Sequence, residues 1–143
     1  MSKVQAANYG QNIILQSNNV IRFTGYSAGG SGSRHETVNN AFTDNNWQHL
    51  AITIEGNKSG DDIDFYINGS QVSHSTGTYS STTLTQDQNS DSSNSSLFIG
   101  AYQFGSTTNN FFDGDIGYFK CFKKQLSSSE ILAEYNATKA TFE

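Results

Sequence analysis

Apolar and polar residues alternate along most of this chain with a period of two, the spacing of a half-buried β-strand. Ile13 and Leu15 share one face, Ser17-Asn18-Asn19 supply a turn, and Ile21 and Phe23 share a face again, which predicts a hairpin. Residues 27–33, Ser-Ala-Gly-Gly-Ser-Gly-Ser, read as a flexible loop. Across 47–54, Leu50, Ile52 and Ile54 point one way, while His49, Ala51 and Thr53 point the other. Ile63, Phe65 and Ile67 make the next inward row, with Asp62, Asp64 and Tyr66 opposite. Asn68-Gly69 then predicts a two-residue type I′ turn, which needs positive φ at both positions, and 71–74 returns as the partner strand.

Residues 75–96 are dense in Ser, Thr, Asn and Asp and read as a long loop around one anchor, Leu84. Residues 97–102 are apolar on both faces, as in a strand with two neighbours. Residues 116–122 are predicted as a strand in which Phe119 and Cys121 keep step and a bulge at Gly117-Tyr118 turns Ile116 inward. Helical spacing enters only near the end. Ser127-Ser128-Ser129-Glu130 is a capping box, and Ile131, Leu132 and Tyr135 form one stripe, predicting a short helix over 127–138. About eight or nine strands and one late helix predict a single all-β domain over residues 1–143, an antiparallel β-sandwich of jelly-roll type.

Composition makes such a core feasible. Hydrophobic residues are only 34% of the 143, but ten Phe and seven Tyr supply burial that scarce aliphatics do not. The formal net charge of −5, with no basic cluster beyond Lys123-Lys124, excludes a nucleic-acid partner from the expectations. No apolar run approaches a bilayer's thickness, so no membrane is expected either. Met1-Ser2-Lys3 leads into polar sequence rather than a signal peptide, so synthesis in the cytoplasm is expected. Cys121 has no intrachain mate for a disulfide and reads as a small apolar core residue.

Three blocks, in order, resemble the laminin-G-like, concanavalin A-like jelly roll. Asn46-Trp47-Gln48-His49-Leu50-Ala51 is similar to that family's Trp-x-His-Val-Ala strand, and Ile63-Asp64-Phe65-Tyr66-Ile67-Asn68-Gly69 to its strand-turn-strand hairpin. Leu97-Phe98-Ile99-Gly100, Phe112-Asp113-Gly114-Asp115-Ile116 and Leu126-Ser127 with Glu130-Ile131 resemble its closing strands and helix. The likeness covers about residues 46–136 and implies that Trp47 fills the core. It departs from the family in two ways. The upstream strands look shortened, and Gly117-Tyr118 stand where the family often carries an acidic pair. Tyr135-Asn136-Ala137-Thr138-Lys139, with Phe142 after it, resembles the tails of such modules in phage structural proteins. That likeness implies a virion surface, with an extracellular setting as the alternative.

Candidate chemistry points to contact rather than catalysis. Some jelly rolls of this class are glucanases, which need two carboxylates about 5–10 Å apart. This chain has Asp62-Ile63-Asp64 with no Glu after them on the strand, so no catalytic residue is expected. His35, His49 and His74 fall in separate strands or loops and suggest no triad. The resemblance implies a calcium ion at the sandwich rim, for which Asp61, Asp62, Asp113 and Asp115 are the candidates. Aromatics beside amides suit a pyranose face: Tyr79, and the run Tyr102, Phe104, Asn109, Asn110 and Phe111. The same residues serve equally well to pack loops or meet a protein. The expected function is therefore a non-catalytic virion surface protein, a capsid decoration or tail-associated module that contacts other virion proteins or its own copies. A carbohydrate-binding lectin or adhesion module for cell-surface glycan is the alternative, and a glycoside hydrolase a distant third.

Overall fold

The computed structural model describes residues 2–5, 9–26, 32–55, 63–76, 99–104, 107–109 and 111–142. Among them the strands are β1 (Ser2–Gln5), β2 (Tyr9–Leu15), β3 (Ile21–Tyr26), β4 (Gly32–Thr37), β5 (Leu50–Ile54), β6 (Ile63–Ile67), β7 (Ser70–Val72), β8 (His74–Thr76), β9 (Tyr102–Phe104) and β10 (Thr107–Asn109). One helix, α1 (Ser128–Thr138), follows, and a 3-10 turn at Lys139–Thr141 ends it. Every pairing is antiparallel. One sheet runs β1-β2-β3-β4-β8, a second runs β5-β6-β7, and β9 pairs with β10.

Local chemistry explains the turns. Gln16 N–H donates to Val20 C=O at 2.9 Å, and Asn19 takes φ 56°, a conformation that Asn tolerates better than most residues. Asn68 (φ 50°) and Gly69 (φ 77°) join β6 to β7 as the type I′ turn demands. Ser73 is the corner where the chain leaves the smaller sheet as β7 and enters the larger one as β8. There the Ser73 carbonyl accepts a hydrogen bond from Val38 N–H.

The two sheets meet over Ile21, Phe23, Ile63 and Phe65, all buried, with Ile13, Phe42, Ile52, Ile54, Ile67 and Val72 around them. These are the inward rows that period-two alternation selects. The opposite face of the smaller sheet is also covered: Tyr66 and Ala51 pack under Leu126 and Ile131, so α1 forms a third layer. Ser127 caps the helix as expected, accepting from Glu130 N–H while Glu130 reaches back to Ser127 N–H at 2.8 Å. Among the described residues, no helix is long and apolar enough to cross a membrane.

Several expectations need correction. Gly32 and Ser33 open β4 instead of closing a loop, and β5 begins at Leu50 instead of Trp47. Ser75 and Thr76 belong to β8, while 77–98, with Leu84, lie outside the described residues. Ile99 and Gly100 form a bend, Gly100 at φ 78°, and the strand starts only at Tyr102. Residues 116–122 are not a strand. They are held instead by side chains: the Phe142 ring sits where a Gly117 side chain would stand, Tyr118 Oη pairs with Thr138 Oγ1 at 2.9 Å, and Lys120 pairs with Glu134 at 2.6 Å. Among the described residues, contacts to the helix and to Phe142 thus take the place of a ladder. They also account for the Gly117-Tyr118 departure, since an acidic side chain at 117 would meet the Phe142 ring. Cys121 is exposed rather than a core residue. Trp47 is not core filling either: it is 48% exposed and packs on Phe142, ring centroids 4.8 Å apart.

Candidate functional site

The feature that stands out begins where the ladder stops. Residues 111–122 run exposed throughout, and the run carries Phe111 (72% exposed), Phe112, Ile116, Phe119 and Phe122. Among the described residues its backbone pairs through Phe112 N–H with Gly100 C=O at 2.8 Å. Charge is unevenly spread along it. Asp113 and Asp115 lie near the start, while Lys120, Lys123 and Lys124 lie at or just past the end. Lys120 is engaged by Glu134 and Lys124 by Glu130.

The segment is tethered by an aromatic cluster built from the loop before β5 and the chain's C-terminal part. Trp47 stacks on Phe142, Phe142 on Tyr118 at 5.8 Å, and His49 lies 6.4 Å from Tyr118 and 5.9 Å from Tyr135. Asn68 locks His49 in place by both backbone groups: Asn68 Oδ1 accepts from His49 N–H at 3.0 Å, and Asn68 N–H donates to His49 C=O at 2.9 Å. Burial holds the His49 imidazole below its ordinary pKa, with Glu134 pulling the other way and Lys120 adding to the fall.

The predicted site residues scatter differently from expectation. Tyr79, Asn110, Asp61 and Asp62 lie outside the described residues. Tyr102, Phe104 and Asn109 come together on the β9–β10 hairpin, Asn109 directly opposite Tyr102. Phe111, Asp113 and Asp115 stand exposed on the segment 111–122. Calcium takes about six to eight oxygen ligands, and of the four candidate carboxylates Asp113 and Asp115 fall among the described residues. Among the described residues no three His, Cys, Asp or Glu gather to hold a metal ion. Asp64 accepts a hydrogen bond from Gln71 Nε2 at 2.7 Å.

Two relationships escaped the sequence reading. His35 and His74, placed there in separate elements, meet with ring centroids 5.5 Å apart because β4 pairs with β8. Arg22 and Glu36 are cross-strand partners on β3 and β4, and they ion-pair at 2.6 Å. No local signal announces either, since both need the strand register.

A laminin G-type family model, described as the concanavalin A-like lectin/glucanases superfamily, matches residues 2–132. The match reaches well upstream of the motifs at 46–136. Among solved structures, the chain is similar to an S-layer domain-containing protein from Clostridium thermocellum ATCC 27405 (residues 221-444). The identity is 22% and the TM-score 0.46, with 90% of this chain and 57% of that one covered. No curated protein matches.

Proposed function

This chain belongs to the concanavalin A-like lectin/glucanases superfamily, and on that footing we propose that it is a non-catalytic contact module of an assembled surface. The virion surface, as decoration or tail-associated protein, is the assembly that the C-terminal likeness to phage modules favours. The observation that carries the reading is the run 111–122, with Phe111 72%, Phe112 43%, Ile116 49%, Phe119 41% and Phe122 45% exposed. Five exposed large apolar side chains within twelve residues mark a contact surface. A segment with few ladder bonds among the described residues also offers N–H and C=O groups to a strand added alongside.

The occupant is a second copy of the chain. Two such segments laid antiparallel about Tyr118 set Asp113 of one copy against Lys123 of the other, so the charge asymmetry becomes complementarity. Sedimentation velocity on the intact chain tests this. A concentration-dependent dimer, abolished by Phe119→Asp with the β-sheet circular-dichroism spectrum unchanged, is the expected result. A monomer at every concentration sinks the proposal.

The adhesion reading keeps one supporting feature, the β9–β10 hairpin that sets Asn109 opposite Tyr102. A glycan array probed with the intact chain separates the two: glycan binding lost in Tyr102→Ala, from a monomer, favours adhesion.

A further inference from the structure

The outer face of the larger sheet carries a polar groove whose lining, among the described residues, includes none of 111–122. It has a volume of about 460 Å³ and is lined by Gln16, Asn18, Asn39 and Ser75, with Val20 and Val38 as its apolar part. That volume lies within the usual range for small-molecule sites, roughly 300–1,000 Å³. Among the described residues, the charged groups lining it are Arg22, Arg34 and Glu36. Two guanidiniums therefore face one carboxylate, and the groove is locally cationic on a chain whose formal net charge is −5.

The three charges have a specific geometry. Arg22 Nε donates to Glu36 Oε1 at 2.6 Å, and Arg34 Nη2 donates to the same oxygen at 2.5 Å. Each side chain is about one-quarter exposed, so the cluster is partly screened from water yet open to the groove. Register explains the convergence: Arg22 and Glu36 are direct cross-strand partners, and Arg34 precedes Glu36 by two residues on β4, hence on the same face. Burial alone would raise the Glu36 pKa, but the hydrogen bonds from Arg34 and Arg22 more than reverse this and hold it below its ordinary value. One carboxylate oxygen cannot use ten guanidinium N–H donors. Arg34 Nε in particular is buried with no hydrogen-bond partner. Such surplus donors are what a planar anion satisfies, two bonds at a time.

We propose that this groove binds a carboxylate-bearing sugar of the uronic acid type. The acid group takes guanidinium N–H donors of Arg22 and Arg34 beyond the two that Glu36 occupies. The ring hydroxyls meet the amides of Gln16, Asn18 and Asn39, of which Asn18 Nδ2 already bridges to Asn39 Oδ1 at 3.2 Å. Val20 and Val38 lie under the less polar ring face, Val38 being 56% exposed. A phosphate backbone does not fit: it is gripped by several spaced cations, and here half the positive charge is already neutralised.

The test is a titration of the intact chain with sodium glucuronate, followed by isothermal calorimetry, with glucose and sodium sulfate as parallel probes. Glucuronate is expected to saturate the site at least about tenfold more tightly than glucose or sulfate. Arg34→Gln should weaken glucuronate about tenfold, whereas Glu36→Gln, which removes the internal competitor for the same donors, should strengthen it several-fold. Phe119→Asp should leave it unchanged, so the groove and the self-association surface succeed or fail separately. Equal binding of glucose, displacement by equimolar sulfate, or weaker binding in Glu36→Gln with the fold intact overturns the proposal.

Discussion

Gly69 passes so close to α1 that a Cβ placed on it would stand 2.8 Å from Leu132 Cδ1 and 3.3 Å from the Leu132 Cα. The hairpin turn of the smaller sheet and the helix above it are thus fitted to one another without room for a methyl group. Gly69 also holds φ at 77°, where a side chain is strained whatever the space. Gly69→Ala should therefore cost about 2 kcal/mol, more than either effect alone. Urea unfolding measures it. A midpoint within error of the parent protein's contradicts the close approach.

The helix cap carries a pH signature. The Lys124 ammonium, then the backbone and side chain of Ser127, hold Glu130 at about 2, below the ordinary 4.5. A carboxyl depressed in the folded state stabilises it fully above the unfolded pKa and loses that contribution as pH falls from 4.5 towards 2. Thermal unfolding across that range should show a loss that Glu130→Gln does not share. Ser127→Ala should cost about 1 kcal/mol at neutral pH.

His49 runs on a different window. Burial lowers its pKa, so below 6.5 the unfolded chain takes up a proton that the folded chain resists. Stability contributed by the neutral ring is present above 6.5 and declines as pH falls towards the folded value. Among the described residues, Glu134, Lys120, Tyr118 and Tyr135 are the titratable groups that face the ring. His49→Gln should flatten the melting temperature against pH between about 7 and 5.5.

Trp47, the chain's single tryptophan, reports on the C-terminal tether. Phe142→Ala removes the ring that covers it and vacates the place over Gly117. Trp47 emission should move to the red and become more accessible to iodide, with a stability loss of about 1 kcal/mol. An unchanged emission maximum speaks against the stack.

Phe65 is fully buried at the centre of the sheet-on-sheet core. Phe65→Ala should cost about 3–5 kcal/mol by leaving a cavity that two facing sheets cannot close. Guanidinium unfolding gives the value, and a loss under 1 kcal/mol places Phe65 outside the core.

Much of this architecture is written in local pattern. Ile21, Phe23, Ile63 and Phe65 declare their face by alternation alone, because a strand turns its side chains by half a revolution per residue. Asn68-Gly69 declares its turn because few other pairs tolerate positive φ twice. Ser127 and Glu130 declare the helix start because the cap bonds span three residues. Each of these signals acts within a few positions of chain.

What the fold alone decided is which distant elements share a face. Residues 116–122 alternate like a strand, yet a strand needs a neighbour's hydrogen bonds, and among the described residues Phe142, Thr138 and Glu134 tether the segment by side chains instead. Trp47 looks like core and lies half exposed because the ring that packs on it comes from the far end of the chain. Arg22, Arg34 and Glu36 become one charged cluster only through the β3–β4 register. Hydrophobic period is a property of neighbours in sequence; contact is a property of neighbours in space, and only the packed sheets supply it.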